Sequence, residues 1–162
     1  AALTACSSTN EAVNQALIEG AVGGIVATDC KIGRSRYWAA NATVPVNEIS
    51  FRIVMTNVSS KPVTLSGDNF ATTLDGTPIP PFNFSARDVG DADIWRTYDS
   101  LTIRPGEERS VALAYEISQP TYDSWYRSSR TVAVSFTCGN QRVTYTKNSR
   151  SDEITVSDIE TL

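Results

Sequence analysis

Tryptophan, tyrosine and arginine fall together in three short stretches of the chain. These are Arg34, Arg36, Tyr37 and Trp38; then Trp95, Arg96 and Tyr98; then Tyr122, Trp125, Tyr126, Arg127 and Arg130. Such residues give rigid, partly apolar contacts and forked hydrogen-bond donors, the chemistry of protein-binding surfaces. Trp and Tyr also fill sandwich cores and corners, so their position must decide between the two uses. Trp95, Tyr122, Trp125 and Arg127 lie in irregular stretches of sequence and are the expected partner-binding residues.

Catalytic chemistry has less to stand on. The chain of 162 residues contains no histidine, which removes the commonest general base and the commonest metal ligand together. Serine and threonine are abundant, but there are only three lysines to activate them, and Lys61 and Lys147 fall in or beside expected turns. Asp88, Asp91, Asp93 and Asp99 could gather oxygen ligands for calcium, yet their spacing matches no EF-hand loop. A solvated acidic loop is the expected reading. No phosphate-cradling glycine loop occurs. The expectation is a protein without catalytic residues, metal or cofactor. A net charge of -4 argues against a nucleic-acid partner, which ordinarily meets a basic stripe.

The cysteines carry the next signal. There are three, Cys6, Cys30 and Cys138, and an odd number calls for an explanation if the protein is exported. Leu3-Thr4-Ala5-Cys6 resembles a bacterial lipobox, in which the cysteine becomes the acylated first residue after signal cleavage. The small polar run Ser7 to Asn10 suits a tether beyond it. The chain as given begins at Ala1, so an ordinary thiol at Cys6 is the alternative. A single acyl chain holds a membrane only marginally, so stable anchoring needs several. No apolar run approaches the roughly 18–20 residues that span a bilayer. Cys30 and Cys138 each adjoin a strand-like run. A disulfide between them would close a long loop and stabilise by roughly 3–5 kcal/mol. Two separate buried thiols are the alternative; export favours the disulfide.

These residues need elements to position them. Residues 9–22 read as a short helix, capped by Thr9 or Asn10, with Val13, Ala16, Leu17 and Gly20 on one face. From Cys30 onward the pattern is β. Ile49, Phe51, Ile53 and Met55 alternate with Ser50, Arg52, Val54 and Thr56. Val111, Leu113, Tyr115 and Ile117 alternate likewise, as do Val132, Val134, Phe136 and Cys138. Turn signals separate the runs: Asn57 to Pro62, Asp75-Gly76, Arg104 to Glu107 and Gly139-Asn140. Ile154, Val156 and Ile159 suggest a last edge strand. Seven to nine short strands with no long helix between them point to an all-β, immunoglobulin-like antiparallel β-sandwich. The expected organisation is a tether and short helix over 1–24 and a sandwich over 25–162. Residues 77–97 and 118–130 break the meander, and such segments are commonly functional. Sequons at Asn41, Asn57 and Asn83 occur at about the frequency chance gives.

The order of these turns carries a resemblance. Asn57-Val-Ser-Ser-Lys61-Pro62, Asp75-Gly76 and Pro105-Gly106-Glu107, each opening or closing a strand, resemble the telokin-like, immunoglobulin-like domains of bacterial surface lipoproteins and secreted antigens. The resemblance covers about residues 44–118. It implies a sandwich fold and an exported location, and it carries no catalytic residues. The expected function is a lipid-anchored binding or assembly subunit of the cell envelope. It would be held to a membrane through Cys6, with a protein partner and as part of a homo- or hetero-oligomer. The alternative is a secreted, non-lipidated sandwich that joins a surface assembly or inhibits an enzyme.

Overall fold

The computed structural model describes residues 19–80, 83–88 and 96–162. Its strands, in order, are β1 (Ile25–Tyr37), β2 (Val46–Asn57), β3 (Val63–Ser66), β4 (Phe70–Leu74), β5 (Thr77–Ile79), β6 (Asn83–Asp88), β7 (Arg96–Thr97), β8 (Ser100–Ile103), β9 (Glu108–Glu116), β10 (Thr131–Cys138), β11 (Gln141–Asn148), β12 (Ile154–Val156) and β13 (Glu160–Thr161). Among the described residues one short α-helix, α1 (Gln119–Asp123), and one 3-10 turn (Gly67–Asn69) interrupt them. The first sheet runs β1-β2-β9-β6-β7 and the second β12-β11-β10-β4-β5, with β13 also on β11 and a separate ribbon of β3 and β8. Every strand pairing is antiparallel. The expected all-β antiparallel sandwich is therefore the observed architecture. The described strands outnumber the expected seven to nine because β5, β7, β12 and β13 have only two or three residues each.

Period-two alternation builds the interior. Along β2 the buried positions are Asn47, Ile49, Phe51, Ile53, Met55 and Asn57, every second residue. Val111, Leu113 and Tyr115 of β9 face the same interior, as do Val132, Val134 and Phe136 of β10. The two sheets meet through rings. Phe51 lies 6.2 Å from Tyr145 and Phe70 lies 6.1 Å from Phe84, each pair bridging the layers. The Tyr115 hydroxyl bonds Thr72 across the same gap. Burial pushes that phenol up to about 12, so it stays a neutral hydrogen-bonding group.

One end of the sandwich is closed by a polar hub. Asn57 is fully buried, and its amide uses every hydrogen-bonding capacity it has. Nδ2 donates to Lys61 O and to Ile103 O, both at 2.8 Å. Oδ1 accepts from Ser59 N at 2.9 Å and from Ser59 Oγ at 2.7 Å. Its main chain exchanges bonds with Gly106 and Glu107. The two turns noted in the sequence, 57–62 and 104–107, are thus one structure. Asn57 cannot serve as a glycosylation acceptor in this fold. Beside it, Val22 and Ile25 exchange main-chain bonds of 2.9 and 3.0 Å around a two-residue turn. Gly23 (φ 57°) and Gly24 (φ 84°) supply the left-handed backbone that turn needs. A methyl group on Gly23 would stand 2.5 Å from Cys138 Sγ. The helix expected over 9–22 falls almost wholly outside the described residues, and by Val22 the chain is already in this turn.

Replacing Asn57 by Ala leaves the buried Ile103 carbonyl without its donor and takes the acceptor from both Ser59 N and Ser59 Oγ, while Lys61 O keeps only its bond from Ser59 Oγ. The expected loss is about 3 kcal/mol, against about 1 kcal/mol for Ser59→Ala. Urea unfolding with an unchanged m-value checks both. An Asn57→Ala loss no larger than that of Ser59→Ala would remove the hub from this account.

Candidate functional site

The opposite end of the sandwich is built differently. Along β1, Arg34 pairs in register with Ile49 and Arg36 with Asn47, both of which face inward. Their guanidinium groups therefore sit where core residues would stand nearer the middle of the sheet. What they meet is the segment around α1 and not the facing sheet. Ser118 caps this helix by accepting from Thr121 N at 3.2 Å, and Pro120 occupies its first turn, where its missing N–H costs nothing. Ser124 closes it by donating from Oγ to Pro120 O at 2.8 Å. The short helix and the turn after it send Trp125 inward and Tyr126 outward.

Cations and rings hold the two parts together. The Arg34 guanidinium carbon lies 4.6 Å from the Tyr122 ring centroid and 4.7 Å from that of Tyr126. That of Arg36 lies 4.2 Å from Tyr122. Each such contact contributes on the order of 0.5–1 kcal/mol at a partly exposed site. Arg34 Nη1 also donates to Tyr122 O at 2.6 Å. Arg36 donates from Nε to Asn47 Oδ1 at 2.6 Å and from Nη2 to Asp123 Oδ1 at 3.1 Å. Arg127 Nη2 donates to Asp123 O at 3.1 Å. The arginines are thus fixed in direction, mostly by neutral acceptors.

Around them the surface is aromatic. Tyr37 is 41% exposed, Trp38 62% and Tyr126 57%. Of these, Tyr126 stacks directly on Arg34 and Trp38 follows the end of β1, whereas Tyr37 alternates with the inward-facing Arg36 and so lies on the outer face with Ser35 and Glu48. An exposed ring on an oriented guanidinium is the hot-spot composition described above. Arg130 and Asp75 pair at 3.0 Å behind this surface, and Asp75 also accepts from Thr131 N at 2.8 Å. The Thr131 amide, then Arg130, holds the Asp75 carboxyl below the usual carboxylate range.

Of the residues expected to bind a partner, Tyr122 and Arg127 belong to this surface. Trp125 does not: it is 2% exposed and packs in the core, so it is corrected from contact residue to structural anchor. Trp95 and Cys6 lie outside the described residues, as do Asp91 and Asp93. The structure joins the first and third aromatic-arginine stretches, more than eighty residues apart in sequence, which spacing alone could not do.

The expected Cys30–Cys138 disulfide is also corrected, because both are free thiols. Cys138 ends β10 against Gly23, its Sγ 3.9 Å from Gly23 O. Cys30 lines a groove with Tyr145, Ile154 and Val156. Tyr145 pairs with Val134, four residues along β10 from Cys138, a separation of about 13 Å. A disulfide needs Cα atoms within about 7 Å. Burial, with the Asp29 carboxylate adding to it, pushes the Cys30 thiol up to about 11. Burial also raises Cys138.

No protein-family model matches the chain, and no curated protein matches it. Among solved structures, it is similar to an uncharacterized β-sandwich protein from Clostridium difficile 630, at 14% identity and a TM-score of 0.45, over 75% of this chain and 83% of that one. A functionally unknown protein from Listeria monocytogenes EGD-e is similar at 12% identity and a TM-score of 0.38, over 67% and 63%. A protein from Archaeoglobus fulgidus is similar at 12% identity and a TM-score of 0.34, over 82% and 95%. The fold stands on the strand pairing described above.

Trp125→Ala empties a packed core site and is expected to cost about 3–5 kcal/mol, whereas Tyr126→Ala should stay within about 1 kcal/mol of the parent. Thermal unfolding separates them; comparable losses would contradict the opposite placements of these neighbours. The thiols are checked by intact mass without reductant and by iodoacetamide kinetics. Only the thiolate reacts, so a raised pKa slows Cys30 at pH 8 by roughly a hundredfold relative to the unfolded chain. The rate should climb with pH towards about 11. A Cys30–Cys138 cross-link in the peptide map would restore the disulfide.

Proposed function

We propose that this chain is a cell-envelope, lipid-anchored subunit that binds a protein partner without catalysis. It docks through the end built by Arg34, Arg36, Trp38, Tyr126 and Arg127. One observation carries the reading: the exposed ring of Tyr126 stacks on Arg34, an arginine already held in place by the Tyr122 ring and its main-chain carbonyl. A surface ordered before it meets its partner gives up less entropy on binding.

The placement of the two ends supports it. β1 enters at Ile25, beside the Asn57 hub, and ends at Tyr37, beside α1. Its thirteen residues set these ends about 40 Å apart. Tethering at Cys6 would bring the anchor to the hub end and leave the aromatic end facing away from the membrane. The lipobox-like Leu3-Thr4-Ala5-Cys6 and the turns that resemble those of surface lipoproteins support export. The lack of histidine supports a role without acid-base chemistry.

Affinity capture from native envelopes tests the docking surface. Proteins retained by the parent should be lost with a Trp38→Ala, Tyr126→Ala double variant and kept by Arg142→Ala, whose ion pair with Glu160 lies at the hub end. Equal capture by the double variant would reject this surface. Mass spectrometry of the native N-terminal peptide tests the anchor. A diacylglycerol adduct on Cys6 is expected, and an unmodified peptide would favour the secreted form.

A further inference from the structure

We propose that the partner presents an acidic polypeptide segment to this end, with Asp or Glu side chains seated on Arg34 and Arg127 and apolar residues between them laid against Trp38 and Tyr126. The inference rests on reading this end as the docking surface and adds the chemistry of what docks there.

Local charge is the first ground. The chain carries a net charge of -4, yet this end gathers Arg34, Arg36, Arg127 and Arg130 around two carboxylates, Asp123 and Asp75, which Arg36 and Arg130 take. Glu48 and Glu116 pair with each other across β2 and β9 at the same end of the sheet. They alternate with inward-facing Asn47 and Tyr115, which puts them on the outer face, away from α1. Arg34 and Arg127 have no carboxylate partner among the described residues. Each donates one hydrogen bond, to a main-chain carbonyl, and a guanidinium has five donors in a planar fork. The free edges suit a carboxylate, which such a fork grips with two parallel bonds. The rings beneath Arg34 hold that plane still.

An anionic membrane fits less well. The membrane that Cys6 would anchor lies at the other end, about 40 Å of strand away. A peptide of alternating acidic and apolar residues meets both the charge and the exposed rings.

The test uses the full chain and dye-labelled peptides of about ten residues, alternating Glu-Leu, Gln-Leu or Lys-Leu, read by fluorescence anisotropy. The Glu-Leu peptide should bind at least about tenfold tighter than the others. Its affinity should fall about fivefold or more as sodium chloride rises from about 0.05 to 0.5 M. Arg127→Gln should weaken it severalfold, and Arg34→Gln, Arg127→Gln together about tenfold. Arg127 touches α1 only through one carbonyl, so its single variant remains informative if Arg34→Gln loosens the helix. Equal binding of Glu-Leu and Gln-Leu, lost with Trp38→Ala and Tyr126→Ala, would overturn the acidic assignment and leave the docking surface standing. Failure of every peptide would also overturn it, and the envelope capture would then judge the surface alone. Binding of phosphatidylglycerol vesicles in preference to Glu-Leu would overturn it in favour of a membrane contact.

Discussion

The buried amide of Asn57 is the constraint on which the geometry of this protein turns. A side chain with two donors and two acceptor sites stands in a place that water does not reach. Left unpaired there, it would cost more than an apolar residue in the same position. Its four bonds reach Ser59 and Lys61 in one turn and Ile103 at the end of β8, and its main chain bonds the second turn at Gly106 and Glu107. The last residue of β2 therefore ties down the strand leaving the first sheet and the strand entering β9. Val58 N also donates to Gly24 O at 2.9 Å, which ties the entry of β1 to the same place. One amide thus sets where three segments begin or end.

From that closed end β1 runs the whole length of the sheet as its edge. Its bulge between Ala27 and Asp29 and its charged residues Asp29 and Lys31 are features that discourage pairing with another chain. Where the strand outruns the facing sheet, its inward positions no longer meet hydrocarbon. Arginine solves this locally, because its stem is apolar and its planar head stacks on rings. Tyr122 supplies the ring and α1 supplies Tyr122. The order at the aromatic end follows from the length of β1, which the hub end anchors.

Much of the sandwich is legible in the sequence, for a physical reason. β2, β9 and β10 each bury one face and expose the other, and a half-buried strand writes that alternation into its residues. β1 beyond Cys30 is not legible, because an edge strand covered by a helix carries charge on both faces. The aromatic clusters are visible as composition, but composition cannot separate Trp125 from Tyr126. That difference of one residue is a rotation about a short turn, fixed by Ser118 and Ser124. Asn57 draws notice as a sequon, and its actual role depends on Ile103, forty-six residues away. The cysteines misled through the same gap. Their strands do lie in facing sheets, but positions along a strand decide a disulfide, and register is invisible before pairing is known.

On the docking reading proposed above, the aromatic end joins two demands that commonly conflict. A binding surface gains from rigidity, while exposed aromatic and charged groups ordinarily gain nothing from being fixed. Here the same contacts serve both. Arg34 holds α1 against β1 by stacking on Tyr122 and bonding its carbonyl, and in doing so it fixes its own unused donors. Arg36 does the same with one more tie, to Asn47, which reaches back along β2 towards the hub. A partner that seated a carboxylate on these donors would add to contacts already formed and would not need to create them. Binding and local stability at this end are therefore coupled in sign: what tightens α1 against β1 sharpens the surface, and a ligand on the surface tightens α1 in return.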